Sequence, residues 1–207
     1  MFGAGTALGR EVVTDLLFRG HTVTALDQHH SQVPGEWVDR VTLRTGDPLD
    51  ADLVDHVVAG HDVVVDALGD CRGPRAIHRS AAATALITAS MQRHGRLRYI
   101  GLRPDVLLEP PARFSLRRTV RLLALGCCPR TRQVVAGVFA SVARSSLSWT
   151  VVRCPGMTHG PSRGVRHVGM THRDTVGASV TRADAARFLA AQVLETTYIC
   201  AAPAISN

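Results

Sequence analysis

Lysine is absent from the sequence, so all 24 of its Lys and Arg charges are arginines. That removes every mechanism that needs an ammonium side chain. Aromatic residues make up only 4%, and no basic run is interleaved with stacking rings, so a nucleic-acid platform is not expected. No apolar run approaches the roughly 18 residues a membrane span requires. The five cysteines (Cys71, Cys127, Cys128, Cys154 and Cys200) are odd in number and lack CxxC spacing, which argues against a disulfide framework or a zinc site. Reduced thiols and the lack of a basic n-region followed by an apolar stretch point to a cytoplasmic protein without membrane association. What is present is ordinary: 207 residues, 45% hydrophobic and 20% charged, enough for one domain with a real core. The net charge of +7, carried by arginine, favours anionic ligands because guanidinium binds phosphate bidentately.

The first half alternates apolar, β-branched runs with helical patterns, the signature of βαβ units and a parallel sheet. "GREVVTDLLFRG" reads as a helix with Val12, Val13, Leu16 and Leu17 on one face and Gly20 as its stop. "HTVTALD", "RVTLRTGD", "HDVVVDALGD" and "RLRYIGL" read as strands, with helices in "LDADLVDHVVAG" and "AIHRSAAATALITASMQRHG". Residues 103–130 carry Pro104, Pro110, Pro111 and Pro129 and read as an irregular insertion, a substrate wall or a surface excursion. Beyond it lie a helix from about Gln133 to Arg144, the strand "WTVVRC", a loop, a hairpin-like stretch, and a last helix opened by a Thr181–Asp184 capping box. The fold expected is a Rossmann-like, doubly wound α/β domain over residues 1–207, with a small substrate-side region at 155–207.

"MFGAGTALGREVV" carries the chemistry. Gly3, Gly5 and Gly9 give a turn whose backbone can approach a pyrophosphate, and Thr6, Ala7 and Leu8 open a helix whose unpaired N–H groups favour anions. Asp27, with Gln28 beside it, ends the next strand, where a carboxylate accepts ribose hydroxyls and repels a 2′-phosphate. This favours NAD, with NADP as the alternative, since Arg10 is in reach of a 2′-phosphate. Gly46 and Asp47 would border the adenine edge, and Ala67, Leu68 and Gly69 would pass beneath the ribose and pyrophosphate.

In this order the segments resemble the atypical short-chain dehydrogenase/reductase superfamily, in its NAD(P)H-binding, NmrA-like and biliverdin-reductase-B-like branch. "FGAGTALGREVV" resembles the glycine loop, "GDPLDADLVDHVVAGHDVVVDALG" the adenine-side unit, and "VTRADAARFLAAQVLE" the Arg-Ala-Asp helix. "SSLSWTVVRCPGMTHGP" resembles the strand and loop beside the nicotinamide, which implies cofactor contacts from Pro155, Gly156 and Met157 and brings His159 near. The chain departs from the pattern at Thr6, where the family has a second glycine, and after "RYIGLRP", which ends without a Ser or Thr. A Tyr-x-x-x-Lys pair is ruled out by composition, and Tyr99 and Tyr198 sit in strand-like contexts, so no catalytic residue is assigned.

The resemblance implies an NAD(P)H-dependent oxidoreductase acting on a small carbonyl, quinone or flavin-like substrate. The alternative is a non-catalytic, NmrA-like redox sensor working through a protein partner. One anomaly remains. The first strand of such a fold lies at the sheet's centre, yet only Met1 and Phe2 precede Gly3. The expectation is either an apolar, β-branched run upstream or a marginally stable form that binds cofactor weakly.

Overall fold

The computed structural model describes residues 1–28, 34, 37, 39–71, 73–95, 98–104, 129–170 and 176–207. Most of the proline-rich insertion, with Cys127 and Cys128, lies outside them. The helices are α1 (Ala7–Phe18), α2 (Ala51–Val58), α3 (Pro74–Arg93), α4 (Pro129–Arg144) and α5 (Arg182–Ala191). The strands are β1 (Val23–Asp27), β2 (Val41–Thr45), β3 (Val63–Asp66), β4 (Arg98–Pro104), β5 (Ser148–Cys154), β6 (Met157–Thr158), β7 (His167–Gly169), β8 (Val180–Thr181) and β9 (Ala204–Ser206). Among the described residues no helix is long and apolar enough to cross a membrane.

Strands β3, β4, β5, β9 and β7 form one sheet in that order, parallel except for the antiparallel β7–β9 pair. Strands β1 and β2 pair in parallel, and Phe2 joins them to β3 by parallel bridges to Leu26 and Asp66. The fold is thus the doubly wound parallel sheet the sequence implies, with a two-residue stub at its centre. Phe2 N–H donates to Val65 O (2.9 Å), Ala67 N–H to Phe2 O (3.0 Å), and Leu26 N–H to Met1 O (2.9 Å). Behind the stub, between β1 and β3, lies a cavity of about 400 Å³ lined by Met1, Leu16, Val23, Thr24, Val63 and Val65 among others.

Strand alternation builds the core on both faces of the sheet. Val65, Ile100 and Val152 turn toward α1 and α5 and pack with Leu8, Val12, Leu16 and Leu189. Their neighbours Val64, Tyr99 and Val151 face the other way and pack with Val54, Val57, Ile87 and Met91 of α2 and α3. Burial on both faces explains why "VVV" in β3 is continuously apolar. Helix α1 is capped by Thr6, α2 by Asp50 and α5 by Thr181, whose side chain accepts the Asp184 N–H as the capping box requires.

Several sequence expectations are corrected. Helix α4 begins at Pro129 rather than near Gln133, because proline suits a first helical turn. The hairpin-like stretch is not a hairpin: β7 pairs with β9 across more than thirty residues, and β6 pairs with β8. Tyr198 lies in a turn against Phe188 (ring centroids 5.7 Å apart), whereas Tyr99 is a buried residue of β4.

Candidate functional site

A crevice opens at the carboxyl ends of β1, β2 and β3, where parallel sheets of this kind bind ligands. Its first wall is the loop from Gly3 to Gly9. Gly3 has φ +77°, a conformation that L side chains rarely adopt. Gly9 is required by close approach instead, since a Cβ there would overlap the Gly3 carbonyl, and a Cβ on Gly5 would displace the Asp27 carboxylate from its place. Thr6 finds its use here, with Oγ1 donating to Gly3 O (2.9 Å) and accepting Gly9 N–H (2.9 Å), so it braces the loop and caps α1 together.

Asp27 closes β1 directly over this loop, and its Oδ1 accepts the Gln28 N–H at 2.7 Å. Gly46 N–H donates to Asp27 O (3.0 Å), tying the end of β2 to the same corner. Asp47 sits beside them at the crevice rim. Both of its oxygens accept from Arg79 Nη2 (3.0 and 2.8 Å), and Oδ1 also accepts Leu49 N–H (2.9 Å) and a 3.3 Å bond from Gln28 Nε2. The Arg79 hydrogen bond, with that of Leu49, holds the Asp47 carboxyl below its ordinary value.

A cavity of about 220 Å³ runs along this corner. Of the residues singled out from sequence, Gly3, Thr6, Asp27, Gln28 and Leu68 line it. Gly5, Gly46 and Asp47 stand directly against that lining, as described above. Ala7 and Leu8 form the first turn of α1, with Ala7 exposed and Leu8 wholly buried. Ala67 and Gly69 continue the turn from Leu68; Ala67 is fully buried and Gly69 packs on Leu102 O so closely that no Cβ fits. Pro155, Gly156 and Met157 do not line this cavity; Pro155 and Gly156 connect β5 to β6, which Met157 opens, and Gly156 O accepts Val180 N–H (2.8 Å).

Sequence reasoning missed Asp70, Cys71, Arg79 and Ser80, which also line the cavity. Helical periodicity gave α3 a buried face but no sign of which strand ends that face meets. Cys71 is not activated there, since burial pushes its thiol up to about 11. Toward the β6 side, Arg182 Nη1 donates to His159 Nδ1 (3.0 Å) while Arg182 Nε lies 3.7 Å from Asp70. His159 therefore presents an acceptor nitrogen to arginine, and this pair extends the charged wall beyond the cavity.

A glycine loop at a helix N-terminus, an acid closing β1 and a third turn after β3 define a Rossmann-type dinucleotide-binding protein. A family model described as NAD(P)H-binding matches residues 3–196, and the chain belongs to that family. No curated protein matches the sequence significantly. Solved structures extend the fold comparison. An oxidoreductase, ylbE, from Lactococcus lactis is 15% identical with a TM-score of 0.81, covering 100% of this chain and 90% of that one. A short-chain dehydrogenase/reductase from Veillonella parvula in complex with NADP is 17% identical with a TM-score of 0.80, covering 100% and 92%. ChuY, an anaerobilin reductase from Escherichia coli O157:H7, is 17% identical with a TM-score of 0.74, covering 99% and 94%.

Proposed function

We propose that this chain binds a nicotinamide dinucleotide along Gly3–Gly9, Asp27 and Ala67–Gly69, prefers NAD(H), and acts as an oxidoreductase on a small carbonyl, quinone or flavin-like substrate. The observation that carries the reading is the cradle itself: three glycines whose missing Cβ atoms leave backbone at the mouth of α1, closed by a carboxylate. The residues fit the group. The α1 N-terminus offers N–H donors and a positive dipole to a diphosphate, and Thr6 keeps that turn rigid without covering it. Asp27 takes ribose hydroxyls and disfavours a 2′-phosphate. Two arginines stand where they could oppose that preference: Arg10, whose Nε donates to Gly5 O (3.2 Å) beside Asp27, and Arg79, which lines the cavity and is paired with Asp47.

The cofactor supplies hydride when bound, and the chain binds and orients it. The cavity, smaller than the roughly 300–1,000 Å³ usual for ligand pockets, fits the adenosine end alone. The sensor alternative draws on a specific observation: Tyr99 is 1% exposed and donates to Asp66, so it is not placed to protonate a substrate. Steady-state NADH and NADPH oxidation against a panel of carbonyls, quinones and flavins separates the two readings. Turnover with any of them supports the enzyme; binding without turnover across the panel supports the sensor.

A further inference from the structure

Behind the Ala67–Gly69 turn lies a buried ion pair that the dinucleotide reading does not use. Asp66 ends β3 with no exposed surface, and Arg103, near the end of β4, is 7% exposed. Interior charges lose hydration that their attraction repays only when further hydrogen bonds complete the site. Here they do. Asp66 Oδ2 accepts from Arg103 Nη2 (2.8 Å), Tyr99 OH (2.8 Å) and Thr84 Oγ1 (2.7 Å), and Arg103 also donates to Thr84. Burial opposes the charge on Asp66, but Arg103 and these donors outweigh it and hold the carboxyl below its ordinary value.

The remaining oxygen does something no apolar residue can. Asp66 Oδ1 accepts the backbone N–H of Leu68 at 2.9 Å and so fixes the turn after β3. Arg103 works on the far end of that turn: its Nη1 donates to Leu102 O (2.6 Å), the carbonyl on which Gly69 packs. In front, Ala67 N–H is held by Phe2 O, and Gly3 packs against Ala67 and Leu68. The turn is clamped between the ion pair and the glycine loop.

We propose that Asp66 and Arg103 are positioning residues for the dinucleotide, setting the Ala67–Gly69 backbone at the height the cofactor's ribose and diphosphate require. This rests on the dinucleotide reading above. Replacing a buried ion pair by apolar residues of similar volume is often neutral or stabilising, so the fold alone does not demand these charges. Their distinguishing product is an acceptor for Leu68 N–H.

Two double variants test it. Asp66→Leu with Arg103→Met removes both charges and the acceptor; dinucleotide Kd is expected to rise at least tenfold, read on protein whose circular dichroism matches that of the parent. Asp66→Asn with Arg103→Gln removes the charges but keeps an oxygen for Leu68, and Kd is expected to stay within about threefold of the parent. Equal binding by both variants, whether retained or lost, overturns the proposal. Amide hydrogen exchange at Leu68 and Gly69, read without cofactor, is expected to quicken at least tenfold in the Leu/Met variant alone. If the parent binds neither dinucleotide, the functional reading fails, and exchange still decides whether the pair positions the turn. If the Leu/Met variant does not fold, the Asn/Gln variant decides: a tenfold loss of affinity there refutes the role given to the Leu68 bond.

Discussion

Four β-branched residues added ahead of Met1 are expected to enter the cavity between β1 and β3 and raise the melting temperature by roughly 10 °C. Met1 and Phe2 fix the pattern: residues 24 and 26 of β1, residue 65 of β3 and residue 67 just after it turn their hydrogen-bonding groups inward to meet them. By strand alternation Thr22 C=O, Thr24 N–H, Val63 C=O and Val65 N–H face the cavity, where no strand among the described residues pairs with them. Pairing these four groups contributes about 1 kcal/mol each. Burying two inward β-branched side chains adds about 1.5–3 kcal/mol each. Ordering four residues costs about 1–2 kcal/mol apiece. A further gain comes from the Met1 amino group, which donates to Thr24 O (2.8 Å) and whose pKa burial lowers to about 5, against 8.0 for the free group. At pH 7 that is worth on the order of 1 kcal/mol, since the unfolded chain keeps a proton that the folded one sheds. Taken at their central values, these contributions leave a net gain of about 3–4 kcal/mol.

Calorimetry of the two chains reads this directly, with a Gly-Ser extension of equal length as control. The sign of the pH dependence is fixed as well. Because the folded value lies below the unfolded one, the unmodified chain should gain stability from Met1 as pH rises from about 5 to 8, and the extended chain should lack that component. An extended chain that melts within 2 °C of the control would refute the reasoning.

Gly5→Ala drives a methyl into the Asp27 carboxylate, and dinucleotide affinity should drop at least tenfold, measured by cofactor fluorescence, with the helical circular dichroism signal kept. Asp27→Arg should reverse cofactor preference toward NADPH in the same titration; unchanged preference would remove Asp27 from the ribose site. Asp184 accepts from Ser162, Thr181, Arg163, Gly164 and Asn207, so Asp184→Ala should cost about 3 kcal/mol in urea unfolding by stranding those donors. Burial opposes the Asp184 charge, but these bonds hold its carboxyl well below 3.8. Its contribution is therefore complete above that value and should fade as pH falls further, which acid titration of the parent and the variant distinguishes.

The parts of the site written in local sequence were legible. Glycine spacing, the helix behind it and the strand ending on Asp27 lie within one βαβ unit, where period and turn chemistry are short-range signals. Thr6 was legible only as a departure, since its brace joins residues three apart through geometry that spacing does not show. The Asp66 cluster was not legible. It joins β3, β4 and α3 through residues 66, 84, 99 and 103, and each alone reads as an ordinary strand or helix residue. Arg79 escaped for the same reason, because its partner Asp47 is 32 residues away. The β7–β9 pair was misread because strand partners distant in sequence leave no turn signal between them.

A Gly3–Gly9 cradle that holds a nicotinamide dinucleotide, as proposed, must bind it in solution. Isothermal titration of the 207-residue chain with NADH and with NADPH, repeated on Gly5→Ala, tests it most directly. The expected result is one site per chain, NADH tighter than NADPH, and both weakened at least tenfold by the substitution. No heat from either dinucleotide, or affinities that Gly5→Ala leaves unchanged, would contradict it.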